Sequence, residues 1–415
     1  MNAVFPPPAA GASDLGARLF ATRKLTLGLA VPLSDADATL QPITEASPAK
    51  WHLAHTTWFF ETFVLRDHVP SYRPFDERFH YLFNSYYEGE GERHDRSRRG
   101  MLSRPSLDEV RSYRAAVDEA LDRVLPSLSQ DALTLVELGI NHEQQHQELL
   151  LTDLLAAFAE NPLEPTYGEL PPQTCFATEP LSFHAGWEGV VEIGARDDAF
   201  AFAFDCERPR HRVFLEPNQL ANRRISNSEW QEFISDRGYE KPNLWLSEAW
   251  AWVQRMGAKA PLYWRDDGSE FTLAGRRDID WAAPVAHVSY YEADAFARWA
   301  GARLPTEVEW ESFAASTDPN LGNQLDRAGP VLPRPGGGMF GDVWEWTQSA
   351  FASYPGFVPA EGAVGEYNGK FMCGQFVLKG ASCATPRGHS RASYRNFFPA
   401  DARWQFTGLR LARST

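Results

Sequence analysis

Cysteine is scarce in this chain of 415 residues. The four cysteines are Cys175, Cys206, Cys373 and Cys383, and no two of them form a C-x-x-C pair. Scaffolds that depend on disulfides are short, secreted and rich in cysteine, and this chain has none of those properties. The sequence therefore predicts reduced thiols and a cytoplasmic location.

Long apolar runs and a surplus of positive charge are also missing. No apolar stretch approaches the roughly 20 residues that a membrane-spanning helix needs, and residues 1–8 lack the basic and apolar regions of a signal peptide. The net charge of −15 argues against nonspecific binding to nucleic acid or to an anionic membrane. The expected partners therefore include neither nucleic acid nor membrane, and nothing in the sequence specifies an oligomeric state.

The first 160 or so residues carry the periodicity of amphipathic helices. Helices are predicted over about residues 14–30, 50–66, 107–126 and 130–159. Ser13 is the expected cap of the first helix, and Ser106 and Glu109 form a capping box that opens the third. Residues 1–12 are expected to be a flexible tail. Four helices of this length predict a bundle over residues 13–161, and bundles build metal sites from inward-facing side chains.

The fourth helix carries the most informative stretch, His142-Glu143-Gln144-Gln145-His146. Positions four apart share one face of a helix, so His142 and His146 point the same way with Gln145 beside them. Two imidazoles one turn apart can bind one divalent transition metal. The letters H-E-x-x-H also spell the zinc-protease motif, in which Glu143 would be the general base. A polar helix face with solvated histidines is a third interpretation.

A second helix with a histidine in its apolar face supports the metal interpretation. His55 shares that face with Trp51, Trp58 and Phe59, and a histidine inside an aromatic stripe needs a polar partner or a ligand. His52 points roughly 60° to one side on a helix of this pitch, so it is the weaker candidate. Three histidines on two such helices favour a metal site over isolated core histidines.

The segment between the second and third helices, residues 67–105, is predicted to be a long irregular insert. It contains Tyr86, Tyr87 and a basic cluster made of Arg93, Arg96, Arg98 and Arg99. Loops of this length in compact domains are often functional, although solvated surface arginines would look the same.

A proline-rich stretch divides the chain. Residues 162–180 are predicted to be an interdomain linker. Beyond it, residues 181–415 contain short strand-like runs and two amphipathic helices, near residues 226–237 and 290–300. Such a mixture predicts an α+β domain.

Several motifs of the second half are similar to the formylglycine-generating-enzyme fold, a variant of the C-type lectin fold. They are Pro284–Ala293, Arg303–Glu311, Gly341–Thr347, Leu378–Ser382, Ser393–Asn396 and Gly408–Ala412. The first half resembles a DinB-like four-helix bundle. The resemblance implies a multidomain protein, α and then α+β, in which the bundle precedes the lectin-like domain. It does not imply the copper chemistry of the formylglycine enzymes, because Cys373 and Cys383 lack the matching cysteine pair.

Three stretches together resemble the sulfoxide synthases of ergothioneine biosynthesis: Trp51–Glu61, His142–Glu148 and Asn368–Met372. The resemblance implies a non-haem enzyme that uses Fe(II) and O2. Its small-molecule substrates would be hercynine (trimethylhistidine) and a thiol donor, cysteine or γ-glutamylcysteine, joined as a sulfoxide at C2 of the imidazole. Selenoneine synthases are similar throughout and would attach selenium from a selenosugar instead. A zinc metallohydrolase and a binding module without catalysis are the alternatives from other classes.

The same resemblance assigns a metal-binding and a substrate-binding role within the bundle. His55, His142 and His146 would bind the iron and leave coordination positions open for substrate and dioxygen. Gln145 would hold the substrate imidazole. Imidazole ligands suit iron and zinc alike, so the residues alone do not choose between these metals.

Further roles follow from the resemblance outside the histidine helices. Tyr86 or Tyr87 would donate a proton during oxygen activation, with Tyr86 favoured and Tyr394 of the second half as the fallback. Arg96 and Arg98 would bind the carboxylate of the thiol donor through paired hydrogen bonds. The pocket for the trimethylammonium group, which an aromatic face attracts, would include Asn396, Phe397 and Phe398.

Overall fold

The computed structural model describes residues 12–170, 179–196, 202–361 and 363–415. The helices of the first range are α1 (Ala12–Ala30), α2 (Ala49–Phe60), α3 (Arg78–Phe83), α4 (Leu107–Val124) and α5 (Gln130–Ala159). Helix α2 continues as a π-helical segment, Glu61–Arg66. Helix α5 packs against α1 and α2, and α2 also packs against α4. The predicted four-helix bundle is therefore confirmed, with α3 as an addition to it.

Polar caps fix where two of the bundle helices, α4 and α5, begin. Ser106 accepts a hydrogen bond from the backbone N–H of Glu109, whose carboxylate accepts one in return, so the predicted capping box is present. Ser129 caps α5 with its side chain. The predicted cap at Ser13 is wrong, because α1 already begins at Ala12 and Ser13 lies inside the helix.

The insert between α2 and α4 is less irregular than the sequence suggests. It contains α3 and two 3-10 segments, Glu88–Glu90 and Arg96–Met101. Phe79 and Phe83 of α3 are buried, which explains why so short a helix forms: its apolar face packs on the bundle. The flexible tail predicted for residues 1–12 lies outside the described residues, apart from Ala12.

The predicted linker contacts both halves of the chain. The hydroxyl of Tyr167 donates a hydrogen bond to the carbonyl of Leu29 in α1 at 2.7 Å. The backbone N–H of Tyr167 donates to the carbonyl of Leu273 in the second half at 2.8 Å. Residues 171–178 of this stretch lie outside the described residues, and the boundaries predicted at 161 and 181 stay predictions.

The second half combines short helices with short strands. Its helices are α6 (Asn227–Ser235), α7 (Ser247–Met256), α8 (Tyr290–Trp299) and α9 (Glu307–Ala314). Its strands are β1 (Phe183–Ala185), β2 (Gly189–Ile193), β3 (His211–Leu215), β4 (Asn218–Ala221), β5 (Ser269–Thr272), β6 (Gly275–Asp278), β7 (Trp344–Ala350), β8 (Gln375–Gly380), β9 (Asn396–Pro399), β10 (Thr407–Gly408) and β11 (Ala412–Ser414). The two predicted helices are α6 and α8, opened by capping boxes at Ser226 and Ser289.

A four-stranded sheet in the order β10-β7-β8-β9 forms the centre of this half. Strand β7 pairs antiparallel with β8 and parallel with β10, and β8 pairs antiparallel with β9. A second sheet has the order β1-β4-β11, and β2-β3 and β5-β6 are separate antiparallel pairs. The mixture of short helices and small sheets confirms the α+β class predicted for this half.

A buried ion cluster holds the central sheet together. Glu345 of β7 accepts hydrogen bonds from Arg410 Nε at 2.8 Å and from Trp310 Nε1 at 2.7 Å. Arg224 Nε lies 2.8 Å from the same carboxylate. Burial raises the pKa of Glu345, but Arg410 and Arg224 outweigh it and hold that pKa below its ordinary value. The carboxylate therefore stays ionised inside the domain.

The two halves meet along α5, the helix that carries the paired histidines. Glu148 of α5 accepts hydrogen bonds from Trp344 Nε1 at 2.8 Å, Ser382 Oγ at 2.5 Å and Thr385 Oγ1 at 2.7 Å, all in the second half. This contact fixes the face of α5 that the second half covers. Among the described helices, none has both the length and the apolarity that crossing a lipid bilayer requires.

Candidate metal centre

Three histidines converge in the buried interior of the bundle. Helix α2 supplies His55, and α5 supplies His142 and His146 from successive turns. Their ligand nitrogens all lie within 4.8 Å of one another, and their ring centroids are 4.6–4.9 Å apart. The structure therefore brings together the three side chains that the sequence analysis assigned to the metal.

The hydrogen bonds of these rings leave nitrogens available for a metal. His55 Nδ1 donates to the carbonyl of Phe83 at 2.7 Å, and its Nε2 is buried with no hydrogen-bond partner among the described residues. Neither ring nitrogen of His142 has a partner there either. A buried nitrogen without a partner costs about 1–3 kcal/mol. A divalent ion bound to the three rings would remove that cost, so the donor set fits a transition metal.

The charge state of the rings also suits metal binding. Burial lowers the pKa of His142 to about 3. Burial, together with the neighbouring histidines, also lowers the pKa values of His55 and His146 well below their usual range. Neutral imidazole is the form that coordinates a metal, so these rings need not lose a proton at neutral pH before binding one.

Glu143, the general base of the zinc-hydrolase interpretation, is engaged elsewhere in the bundle. Its carboxylate forms an ion pair with Arg114, accepts from Arg23 Nη1 at 3.0 Å and accepts from Thr26 Oγ1 at 2.5 Å. Burial raises the pKa of Glu143, but the two arginines and Thr26 hold it below its ordinary value. A carboxylate whose negative charge is balanced by two arginines in this way stabilises the packing of the bundle helices. The geometry therefore disfavours it as a base.

Gln145 extends from α5 to two tyrosines of the second half. Its Nε2 donates to the hydroxyl of Tyr394 at 2.7 Å. The hydroxyl of Tyr367 donates to its Oε1. One bond uses the amide as a donor and the other uses it as an acceptor, so both polar ends of the amide are paired. Gln145 thus lies where the bundle, the second half and the histidine cluster meet.

Tyr367 is the functional candidate that the sequence analysis missed. Its ring centroid lies 5.5 Å from that of His142, and it stacks on Phe204 at 5.4 Å. Burial, together with Tyr86 and Tyr394, raises the pKa of Tyr367 well above its usual range, so the phenol keeps its proton. The one indication of Tyr367 in the sequence is its position, because it directly precedes Asn368–Met372, a stretch that carries the family resemblance.

The tyrosines named from the sequence take different places. The Tyr86 ring lies 6.4 Å from that of Tyr367. Tyr87 is fully buried and packs on Trp58 at 5.6 Å, inside the bundle. Tyr394, the fallback, contacts Gln145 as described above.

The arginines of the insert separate into exposed and buried side chains. Arg96 and Arg98 are exposed, and Arg96 donates to the carbonyl of Glu45. Arg99 is buried, with its guanidinium carbon 3.4 Å from the ring centroid of Trp51. Trp51 in turn stacks on His55 at 4.6 Å. The arginine that the structure joins to the histidine cluster is therefore Arg99.

Phe397 and Phe398 of β9, which the sequence analysis placed in the trimethylammonium pocket, contact other aromatic rings. Phe397 stacks on Phe371 at 5.9 Å, and Phe371 lies 5.1 Å from Tyr86. Phe398 lies 6.0 Å from Trp404. Asn396, at the start of β9, accepts a hydrogen bond from the backbone N–H of Phe397 with its own side chain. Phe397 is thus connected to Tyr86 through the ring of Phe371.

Both halves match known families. Residues 18–150 match the DinB superfamily. Residues 186–328 and 337–415 match the sulfatase-modifying factor enzyme 1-like domain. The order of the two matches is that of the bundle and the α+β domain, so the fold class expected from the resemblance is confirmed.

Three curated proteins illustrate what the chain is similar to. It is 35% identical to a hercynine oxygenase of Mycobacterium tuberculosis, over 96% of this chain and 98% of that one. It is 33% identical to a hercynine oxygenase of Mycolicibacterium thermoresistibile, over 96% and 94%. It is 28% identical to ergothioneine biosynthesis protein 1 of Schizosaccharomyces pombe, over 52% and 28%. The chain therefore belongs to the hercynine oxygenase family and is an oxidoreductase.

Proposed function

We propose that this protein uses Fe(II) and O2 to join C2 of the hercynine imidazole to the sulfur of cysteine or γ-glutamylcysteine as a sulfoxide. The observation that carries the proposal is the cluster of His55, His142 and His146, buried and neutral, in a chain of this family. In the overall reaction C2–H and S–H are replaced by a C–S bond. One oxygen atom of O2 enters the sulfoxide, and the other leaves as water with the two hydrogens.

The three histidines would hold the iron, which when bound supplies the redox chemistry of oxygen activation. Nε2 of His55 has no hydrogen-bond partner among the described residues, and neither ring nitrogen of His142 has one. Three neutral ligands leave the charge of the ion uncompensated and positions open on it. The protein would therefore bind the metal without filling its coordination sphere.

Gln145 would hold the substrate imidazole. Its amide already pairs with two phenols, and an imidazole offers the same combination of one donor and one acceptor. Substrate binding would exchange one of these internal bonds for a bond to the ring. The remaining tyrosine would keep the amide in its orientation.

Tyr367 is the proton donor that the geometry favours. Its hydroxyl contacts Gln145, its ring contacts that of His142, and its phenol is held protonated. Tyr86 is one ring further away and stays the alternative that the sequence favours. In either case a phenol could transfer its proton at Oη without crossing bulk water.

The trimethylammonium group would lie against the aromatic wall of Tyr86, Phe371 and Phe397, since ring faces attract quaternary ammonium ions. Asn396 and Phe398 stay candidates for the same pocket. Arg96 and Arg98, exposed at the insert, stay candidates for the carboxylate of the sulfur donor. A cytoplasmic location stays a prediction.

An oxygen-uptake assay tests the proposal. The protein is loaded with Fe(II) without oxygen, and hercynine is then offered with cysteine, with γ-glutamylcysteine or with a selenosugar. We expect oxygen uptake and a coupled sulfoxide with one of the thiols. Coupling only with the selenosugar would show carbon–selenium bond formation, and no uptake with any donor would refute the proposal.

The matched control for this assay is His142→Ala, which removes one proposed ligand. It should abolish uptake under conditions in which His184→Ala, an exposed histidine of β1, does not. Equal uptake by both variants would separate the activity from the histidine cluster.

A further inference from the structure

His146 differs from the other two proposed ligands in the partner of its second nitrogen. Its Nδ1 lies 2.8 Å from Nδ1 of His52, so one of these nitrogens carries a proton and the other accepts it. Both rings are buried: His52 is 2% exposed and His146 is 9% exposed. The position of that single proton decides which nitrogen of His146 has a lone pair for a metal.

Asp153 decides the position of the proton. Its Oδ2 accepts a hydrogen bond from the backbone N–H of Ser47 at 2.7 Å, and its Oδ1 accepts one from Trp404 Nε1 at 3.1 Å. A backbone amide and an indole can only donate, so both oxygens of Asp153 act as acceptors. His52 Nε2, which lies 3.1 Å from Oδ2, is therefore the donor in the third contact.

For a neutral His52, this assignment fixes the tautomers of both histidines. A neutral His52 with its proton on Nε2 has a lone pair on Nδ1. His146 must then donate from its own Nδ1, which leaves the lone pair of His146 on Nε2. We propose that Asp153 and His52 are positioning residues that fix this tautomer of His146 and so turn its Nε2 lone pair toward the metal. The inference rests on the metal site of the proposed function.

The tautomer of His55 is fixed in the same way, but by one direct hydrogen bond. Its Nδ1 faces the carbonyl of Phe83, which can only accept, so Nε2 of His55 also keeps its lone pair. A backbone carbonyl thus orients one ligand directly, whereas a carboxylate orients the other through an intervening imidazole. His52, the weaker candidate for a metal ligand in the sequence, acquires a positioning function by this route.

The hydrogen-bonded series of Asp153, His52 and His146, called the relay below, also involves both halves of the chain. Ser47, His52 and Asp153 belong to the bundle, but Trp404 belongs to the second half. Docking of the second half therefore supplies one of the three hydrogen bonds that hold the carboxylate. The orientation of a metal ligand is in this way coupled to the contact between the halves.

Two substitutions at position 52 separate positioning from packing. In His52→Asn, the side-chain oxygen occupies about the place of Nδ1 and can accept the proton of His146. In His52→Phe, a carbon occupies that place and cannot accept it. The probe is Co(II), whose absorption spectrum reports its ligand geometry. Affinity and spectrum are measured together with the thermal unfolding of the metal-free protein.

We expect His52→Phe to weaken Co(II) binding roughly 10- to 100-fold, the usual effect of removing a partner of a metal ligand. His52→Asn should stay within about threefold of the native affinity and keep its spectrum, because the acceptor is preserved. His184→Phe, at an exposed histidine, is the control and should change neither. Native affinity and spectrum in a folded His52→Phe would overturn the proposal, and so would equal losses in folded Phe and Asn variants.

A measurement on the native chain decides the matter if a variant fails to fold. With ¹⁵N-labelled histidine and Zn(II) in the site, long-range proton–nitrogen spectra report which ring nitrogen carries each proton. The proposal predicts a proton on Nδ1 of His146 and on Nε2 of His52; a proton on Nδ1 of His52 would contradict it. Metal binding without this tautomer would refute the relay alone, whereas a native chain that binds no metal would refute both the relay and the proposed function.

Discussion

The side-chain amide of Gln145 donates from Nε2 to the hydroxyl of Tyr394 at 2.7 Å, across the contact between the bundle and the second half. This bond, with the one that Tyr367 donates in return, holds the amide within the site before any substrate binds. The polar group proposed to recognise the imidazole is thus already oriented, which reduces the entropy lost on binding.

Replacing Gln145 with leucine should impair substrate binding and leave metal binding intact. Loss of a buried hydrogen-bonding partner costs about 1–3 kcal/mol, so the KM for hercynine should rise roughly 5- to 150-fold. Gln144→Leu is the neighbouring control, since Gln144 faces His389 instead of the tyrosines. Steady-state kinetics at saturating oxygen give the comparison, and an unchanged KM in Gln145→Leu would remove this residue from the recognition of hercynine.

Tyr367→Phe should lower kcat much more than it changes KM. The substitution keeps the ring that packs on Phe204 and His142 but deletes the proton at Oη. A positioned proton donor contributes roughly 100- to 10,000-fold, and a loss in that range is expected. Tyr86→Phe tests the alternative from the sequence: if it loses kcat while Tyr367→Phe keeps it, the donor is Tyr86.

Metal should stabilise the native protein and fail to stabilise His142→Ala. A ligand at a concentration 100 times its Kd stabilises the folded state by about 2.7 kcal/mol. Thermal unfolding with and without Co(II) measures this effect, and it should be absent from the variant. His389→Ala, a buried histidine outside the cluster, should keep the stabilisation by metal even if its metal-free form is less stable. Stabilisation of His142→Ala to the native extent would place the metal elsewhere.

The buried ion cluster around Glu345 should make a pH-dependent contribution to the free energy of unfolding. Glu345→Gln leaves Arg224 and Arg410 without their shared carboxylate, at an expected cost of about 3–5 kcal/mol at pH 7. The pKa of the folded carboxyl lies below its ordinary value of 4.5. Its ionisation therefore stabilises the native fold fully above pH 4.5, and that contribution is lost as the pH falls through the folded pKa.

Urea unfolding of the native chain and of Glu345→Gln should accordingly give curves that converge below pH 4.5. The difference between the two proteins isolates this carboxylate from the other acidic groups, which titrate in both. A gap that widens on acidification would contradict the assignment of the charge.

Local sequence signals predicted much of the fold and the histidine cluster. Helical spacing placed His142 and His146 on one face of α5, and an aromatic stripe placed His55 on α2, because both patterns depend on helix geometry alone. The capping box at Ser106 located the start of α4 for the same reason. The Ser13 cap failed because α1 begins at Ala12, two residues before the predicted start at residue 14.

The remaining parts of the site depend on contacts between distant segments. Tyr367 reaches Gln145 only because the second half docks on α5. Arg99, and not Arg96 or Arg98, turns toward Trp51 because the insert coils into a 3-10 segment there. The motif of residues 142–146 likewise does not predict that Glu143 pairs with Arg23 and Arg114, because these arginines belong to other helices.

The most direct test of the account follows the oxygen atoms into the product. The Fe(II)-loaded native protein is incubated with hercynine and the preferred thiol under ¹⁸O2. The mass of the product is then measured by mass spectrometry. We expect one molecule that contains both substrates and a single ¹⁸O atom. Hercynine recovered unchanged, or a coupled product without the label, would contradict it.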